Sequence, residues 1–222
     1  MAETLWRFHL SGCPAIDFTN TVSWRASGGP VEHLESAEDL VRWAKQSRLI
    51  TDHDARQLTR QARRNPAPAA AAVARARVVR EAIYRVFSLL ADGLRPNQGD
   101  VATINGLLSE AMRHLHLTRQ AEGGFVCAWE EGPPSLSRLV WPVAKSVADV
   151  LTSEDLRRLK KCPSANCGWI FLDATRNGTR RWCDMKVCGN RAKAQRYHVR
   201  QRLMTTRPRA RRSYVRHRKS TS

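Results

Sequence analysis

Two pairs of cysteines near the end of the chain constrain its fold more than any other feature. Cys162 and Cys167 have four residues between them, as do Cys183 and Cys188, and fifteen residues separate the two pairs. Two pairs of thiols supply the four soft ligands of a closed tetrahedral zinc site. Such a site has no open coordination position, so the expected Zn2+ ion would stabilise the fold without activating water.

The sequence between the two pairs favours a compact finger over four unrelated buried thiols. Residues 169–172, Trp-Ile-Phe-Leu, are predicted to form a strand, and Asn177-Gly178 is a type I′ turn signal. Residues 180–183 are the predicted return strand of this hairpin. Its open end would bring Cys167 and Cys183 together. The other cysteines, Cys13 and Cys127, are flanked by apolar residues and are predicted to be ordinary buried thiols.

A basic helix is predicted directly after the last cysteine. Gly189 is expected to adopt a backbone conformation that a side chain would resist, and the helix would follow from Asn190. Ala192, Val199 and Leu203 lie along one stripe of this helix, which is expected to pack against the hairpin. Basic side chains on another stripe, with two arginines of the hairpin, would contact phosphates and guanine edges. The predicted nucleic-acid-binding residues are Arg180, Arg181, Arg191, Lys193, Arg196, Arg200 and Arg202.

The distribution of charge supports a polyanionic partner. The net charge of the chain is +18. Residues 1–155 contain 18 basic and 18 acidic side chains, whereas residues 156–222 contain 20 basic and two acidic ones. A positive field at one end attracts nucleic acid, the commonest cytosolic polyanion. The alternative is a solvated tail that aids solubility, although the charge also extends into the predicted finger.

The residues around the last cysteines resemble a known zinc-finger family. Cys188-Gly189-Asn190-Arg191, with the preceding residues 180–185 and 171–173, is similar to the CGNR zinc finger. Residues 1–150, which include Ile-Asp-Phe-Thr-Asn-Thr-Val at 16–22, resemble the ABATE domain. That domain accompanies this finger in bacterial stress-induced transcription regulators. The resemblance implies a DNA-binding regulator whose four cysteines are the zinc ligands.

The N-terminal two thirds of the chain are predicted to form a mainly helical domain with its own core. The predicted class is therefore α+β: this helical domain with a small antiparallel sheet, followed by a treble-clef-like zinc finger. The predicted division is residues 1–151 for the ABATE-like domain, 152–204 for the finger and basic helix, and 205–222 for a mobile basic tail. Helices are predicted within 40–47, 51–64, 69–91, 101–115 and 136–151, and strands at 5–10, 116–119 and 125–129.

Four polar residues of the N-terminal region stand in otherwise apolar surroundings. Asp17, Asn20, Thr21 and Arg80 would, by the resemblance to the ABATE domain, line a pocket that senses a small-molecule effector. An equally weighted alternative is local capping, in which these side chains bond neighbouring backbone groups.

These features lead to three hypotheses for the function. The first is a zinc-dependent DNA-binding transcription regulator, and the second is an RNA-binding or ribosome-associated zinc protein. The third is an enzyme tethered to nucleic acid by its basic tail, although the sequence contains no nucleophile elbow, phosphate-cradling loop or HExxH pair.

The chain has no predicted membrane span or leader, so a cytoplasmic, nucleoid-associated location is expected. A homodimer that reads two half-sites is compatible with the first hypothesis.

Overall fold

The computed structural model of the protein describes residues 11–205. The predicted strand at residues 5–10 and the tail from residue 206 onward lie outside the described residues. The described residues divide into two compact units, 11–183 and 184–205. In the described part of the chain, no helix is both long enough and apolar enough to cross a membrane.

The first unit is mostly helical, and five of its helices occur close to the predicted ranges, whereas the helix at Pro14–Thr19 was not predicted. Two of the helices begin with capping boxes at Ser36 and Thr51. In each box the side chain of the capping residue accepts a hydrogen bond from the backbone N–H of the third helical residue, and the carboxylate of that third residue accepts one from the backbone N–H of the capping residue. Pro142 lies in the first turn of the last helix, where its missing N–H costs nothing. The helices are α1 (Pro14–Thr19), α2 (Ala37–Gln46), α3 (Asp52–Arg64), α4 (Pro66–Ala91), α5 (Gln98–Met112) and α6 (Trp141–Thr152). Short 3-10 turns span Leu136–Val140 and Glu154–Arg158.

Within residues 11–205, three small antiparallel sheets, each of two strands, accompany these helices. The strands are β1 (Val22–Ser23), β2 (Val31–Glu32), β3 (Leu115–Arg119), β4 (Phe125–Trp129), β5 (Leu159–Lys161) and β6 (Ile170–Leu172). β1 pairs with β2, β3 with β4, and β5 with β6. The predicted hairpin is confirmed as β3 and β4, with Leu115 opposite Trp129 and Arg119 opposite Phe125. Cys127 on this hairpin is exposed, so its predicted burial is wrong, and Cys13 is only partly buried.

The core of the first unit forms around α4, which packs against α1, α2, α3 and α5. Phe18, Trp43 and Phe87 are the largest fully buried side chains, and the ring centroids of Phe18 and Trp43 are 4.8 Å apart. Strands β5 and β6 also pack on α4. Ile170 of β6 is therefore as completely buried as the helical core.

The second unit begins with one turn of π-helix, Met185–Gly189, and continues as α7 (Asn190–Thr205). Asp184 caps the π-turn by accepting a hydrogen bond from the backbone N–H of Val187 at 2.9 Å. Gly189 lies in the helical turn and does not have a positive φ, contrary to the predicted special conformation. The Met185 side chain occupies the position that a Cβ at Gly189 would take, so a larger residue there would displace it.

Candidate metal centre

The structure brings the four predicted ligands into one cluster. The Sγ atoms of Cys162, Cys167, Cys183 and Cys188 all lie within 4.8 Å of one another, and all four side chains are buried. The Sγ atoms of Cys167 and Cys183 are 3.5 Å apart. Four thiolates that bind zinc at about 2.3 Å form a tetrahedron with S–S edges of about 3.8 Å, so the cluster fits a zinc ion. Because the four thiolates complete the coordination shell, the site is a structural zinc centre.

The first cysteine pair is positioned by the turn between β5 and β6. The backbone N–H of Cys162 donates to the carbonyl of Trp169 at 2.8 Å, and that of Cys167 donates to Ser164 at 2.9 Å. Gly168 has φ +68°, and a Cβ there would lie 3.2 Å from the hydroxyl of Tyr84. That hydroxyl donates to the Gly168 carbonyl at 3.0 Å. The left-handed backbone and the close approach of α4 together require glycine at this position.

The predicted pairing of the finger strands is wrong. Strand β6 pairs with β5, with Leu159 opposite Leu172, and residues 180–183 form no strand. Asn177 has no positive φ, whereas a type I′ turn requires one at both central residues. The physical reason is a competing partner for the predicted return strand. The backbone N–H of Arg180 donates to the Asp173 carboxylate at 2.8 Å and thus does not join a ladder.

Asp173 organises the loop that leads to the second cysteine pair. Its carboxylate is fully buried and accepts hydrogen bonds from Lys160 Nζ at 2.6 Å and from the backbone N–H of Thr175 at 3.0 Å, besides the bond from Arg180. Burial acts to raise the pKa of Asp173, but the hydrogen bonds from Lys160 and Thr175 outweigh it and hold the pKa well below its usual value. Sequence reasoning assigned this residue no role. The signal in the sequence was that Asp173 is one of only two acidic residues among the 67 residues of the basic segment 156–222.

Replacing Asp173 with asparagine should weaken zinc binding. The substitution removes the charge that holds Lys160 and leaves fewer acceptors for the loop before Cys183. Residues that orient metal ligands typically change affinity by about 10- to 100-fold, so we expect a decrease of about tenfold or more, measured by competition with a chromogenic chelator. Asp155→Asn, at an exposed position N-terminal to the first cysteine of the cluster, is the matched control. Equal zinc affinity of the two variants would contradict this role of Asp173.

The thiols of the cluster interact directly. Hydrogen bonds from Cys167 and Cys183 lower the pKa of Cys162 to about 2. The same contact with Cys162 raises the pKa of Cys167 to about 12, and it raises the pKa of Cys183 as well. These thiols titrate as one coupled group, so without an ion their protons are shared within the cluster. Zinc supplies the positive charge that allows all four sulfurs to lose their protons.

Three of the predicted basic residues lie on one exposed face of α7. Lys193, Arg196 and Arg200 follow each other at spacings of three and four residues and are all exposed. We call these three side chains the basic face. Arg202 is also exposed, and Arg191 is partly buried near the start of the helix. The predicted buried stripe is wrong at Val199, which is 56% exposed, and the side chain of Leu203 lies outside the described set.

The two predicted arginines of the finger loop differ in their surroundings. Arg180 is partly buried, and its guanidinium donates to the carbonyls of Trp182 and Cys183 and lies 4.8 Å from the ring centroid of Phe171. It therefore binds the loop that carries Cys183. Arg181 is exposed, with its guanidinium 5.8 Å from the Trp182 ring. Of this pair, Arg181 has the surroundings expected for a phosphate contact.

The four polar residues of the N-terminal region are buried, and each has hydrogen-bond partners inside the protein. Asp17 accepts from the backbone N–H and hydroxyl of Ser11, both at 2.7 Å. Arg80 donates two hydrogen bonds of 2.6 Å to Glu32 and one of 3.1 Å to Thr21. Three cavities in the described part of the chain are lined by other residues. The geometry favours a structural role for these four residues over an effector pocket.

Asn20 connects α1 to the finger strand β6. Its side-chain NH2 donates to the carbonyl of Ile170 at 2.8 Å, and its side-chain oxygen accepts from the backbone N–H of Ile170 at 3.1 Å. The indole N–H of Trp169 donates to the carbonyl of Val22 at 2.8 Å and ties the same strand to β1. The edge of β6 is thus paired by an asparagine side chain in place of a third strand.

We expect Asn20→Ala to destabilise the protein by about 2–4 kcal/mol, because it leaves two buried backbone groups of Ile170 without partners. The free energy of unfolding in urea measures this effect. Asn105→Ala, at an exposed position of α5, is the control and should stay within about 0.5 kcal/mol of the parent. An Asn20→Ala variant as stable as this control would show that the two hydrogen bonds contribute nothing to folding.

The described fold and site define a class of protein: a helical domain whose C-terminal part carries a four-thiolate zinc centre and a basic helix. Residues 12–154 match the ABATE family, described as "Putative stress-induced transcription regulator". Residues 158–201 match the CGNR zinc finger. No curated protein matches the chain. The chain belongs to the ABATE family and carries a CGNR zinc finger after its ABATE domain, as the resemblance in its sequence predicted.

Proposed function

We propose that this protein is a zinc-dependent regulator of transcription that binds duplex DNA through its finger. The observation that carries the proposal is the basic face of Lys193, Arg196 and Arg200 on the helix that begins immediately after the π-turn containing Cys188. The description of the ABATE family as a transcription regulator supports the same conclusion.

The dimensions and chemistry of α7 suit the major groove. The helix has 16 residues, which corresponds to a length of about 24 Å. The major groove is about 12 Å wide and admits one α-helix. Arginine binds both phosphates and the major-groove edge of guanine through paired hydrogen bonds, so this face is suited to affinity and to base reading. Lys193 would contribute a phosphate contact.

Electrostatics adds a contribution that does not depend on sequence. Residues 156–222 contain 20 basic side chains and two acidic ones. If about six to ten of these side chains neutralise phosphates, affinity should fall by roughly 10³ to 10⁵ between about 50 and 200 mM salt. A regulator of this kind would act at the nucleoid in the cytoplasm, and a homodimer would present two basic faces to two half-sites.

The decisive experiment is selection of bound fragments from genomic DNA by the zinc-loaded full chain, with Cys183→Ser as the control. We expect one enriched motif that is lost with the control. A competition between duplex DNA and structured RNA at fixed salt separates the two polymers. Enrichment of no motif, together with stronger competition by RNA, would overturn the proposal and favour an RNA-binding protein.

A further inference from the structure

One large aromatic side chain lies among the exposed cations of α7. Tyr197 is 60% exposed. It follows Lys193 by four residues and precedes Arg200 by three, so helical spacing places these three side chains side by side. Because an α-helix turns by about 100° per residue, the three leave the helix axis within about 60° of one another. An aromatic ring therefore lies next to the basic face.

Neither packing nor helix propensity accounts for a tyrosine at this position. Its ring meets the adjacent ring of His198 edge-on, with centroids 5.9 Å apart, but most of its surface remains in water. The hydrophobic effect stabilises a fold in proportion to the apolar area that is removed from water, so this ring adds little. Tyrosine is also a poorer helix former than alanine, lysine or arginine. Contact with a partner explains the residue better than folding does.

The place of Tyr197 along the helix favours contact with bases. It lies at the middle of α7, which spans Asn190–Thr205. The π-turn that contains Cys188 leads directly into this helix, and Tyr197 follows about 13–14 Å further along the axis. A straight helix placed in the curved major groove comes closest to the base edges near its middle, whereas its ends approach the phosphates. The central position therefore suits a side chain that reads sequence.

The ring of Tyr197 supplies a contact that the three cations of the basic face cannot make. Guanidinium and ammonium groups bind phosphates and the acceptor atoms of guanine. Thymine differs from the other bases in the major groove by its C5-methyl group, which apolar side chains recognise. Packing an aromatic ring on that methyl group removes apolar surface of both from water. Without Tyr197, the basic face would recognise only guanine and charge.

We propose that Tyr197 reads thymine, its ring packing on the C5-methyl group of a thymine in the major groove of the DNA that the basic face binds. This inference rests on the proposed function and adds to it a residue that determines sequence specificity. It also implies discrimination against RNA. Uracil lacks the methyl group, and side chains cannot read the deep, narrow major groove of an RNA helix.

Two duplexes that differ only in this methyl group test the contact. One is an alternating A·T duplex of about 24 base pairs, and the other has the same sequence with deoxyuridine in place of thymidine. We expect the zinc-loaded full chain to bind the thymine duplex about three- to fivefold more tightly, as burial of one methyl group per bound chain predicts. Fluorescence anisotropy near 0.1 M salt measures both dissociation constants.

Three variants assign the preference to the ring. Tyr197→Ala should bind the two duplexes equally, whereas Tyr197→Phe retains the ring and should keep the parent's preference. Val199→Ala is the matched control, because Val199 is an apolar residue of the same helix, is 56% exposed and leaves the axis about 160° away from Tyr197. It should also keep the preference. Circular dichroism checks that each variant is folded.

The possible failures are distinguishable. Equal affinity of the parent protein for the two duplexes would overturn this role of Tyr197 and leave DNA binding intact. A preference that survives Tyr197→Ala, or that Val199→Ala removes to the same extent, would also overturn it. Binding to neither duplex, even at low salt, would contradict the proposed function and this inference with it.

Discussion

Removing the zinc ion, or replacing Cys183 with serine, should unfold the finger and reduce nucleic-acid affinity by at least about a hundredfold. Structural zinc contributes apparent binding free energies of about 10–16 kcal/mol in zinc-finger peptides. The finger has too few apolar residues to replace that stabilisation by burying a hydrophobic core. Elemental analysis should find one zinc ion per chain in the parent protein, and fluorescence anisotropy measures the loss of binding.

Cys127→Ser is a matched control for Cys183→Ser, because it makes the same chemical change at an exposed cysteine of β4. This variant should keep its zinc and its affinity. A Cys183→Ser protein that retained stoichiometric zinc and bound nucleic acid as tightly as the Cys127→Ser protein would rule out a structural role for the ion.

The second large effect is expected on the basic face. Replacing Lys193, Arg196 and Arg200 together with alanine should lower nucleic-acid affinity by roughly two orders of magnitude near 0.1 M salt. It should also reduce the slope of log K against log salt by about three, because each phosphate contact contributes about 0.9 to that slope. Titrations at several salt concentrations measure both quantities. The helix should remain intact, since alanine is the best helix former.

Arg56, Arg60 and Arg64 provide the matched control. They are three exposed arginines on one helix, α3, in the part of the chain with no net charge. Their replacement by alanine removes the same charge and should change the salt slope by less than about one. If the two triple variants lost the same affinity, total charge would govern binding and the basic face of α7 would have no special role.

The finger strands are not separable from the helical domain. Ile170 is fully buried, and β5 and β6 pack on α4. Asn20 supplies hydrogen bonds to the edge of β6, and Tyr84 to the turn that holds Cys167. A truncation between residues 151 and 152 would therefore expose core surface on both pieces. For this reason the ABATE domain contributes directly to the position of the first two zinc ligands.

Local patterns predicted most of the helical fold because they act over a few residues. Ser36 and Thr51 begin their helices as capping boxes, since the caps need only the next three residues. The hairpin of β3 and β4 needs only its own turn, so it was also predictable. The predicted burial of Cys127 was wrong because burial depends on parts of the chain that are distant in sequence. Apolar neighbours in the sequence do not reveal whether another layer covers that face of the hairpin.

The sequence by itself determined the zinc ligands, because two closely spaced pairs of thiols supply the four ligands of a tetrahedral site, and it located the excess positive charge. The tertiary structure decided which strand pairs with β6, because that choice depends on Asp173 capturing the backbone of Arg180. It also decided that Asn20 pairs the edge of β6. These outcomes depend on contacts between distant residues, and such contacts exist only after the chain has packed.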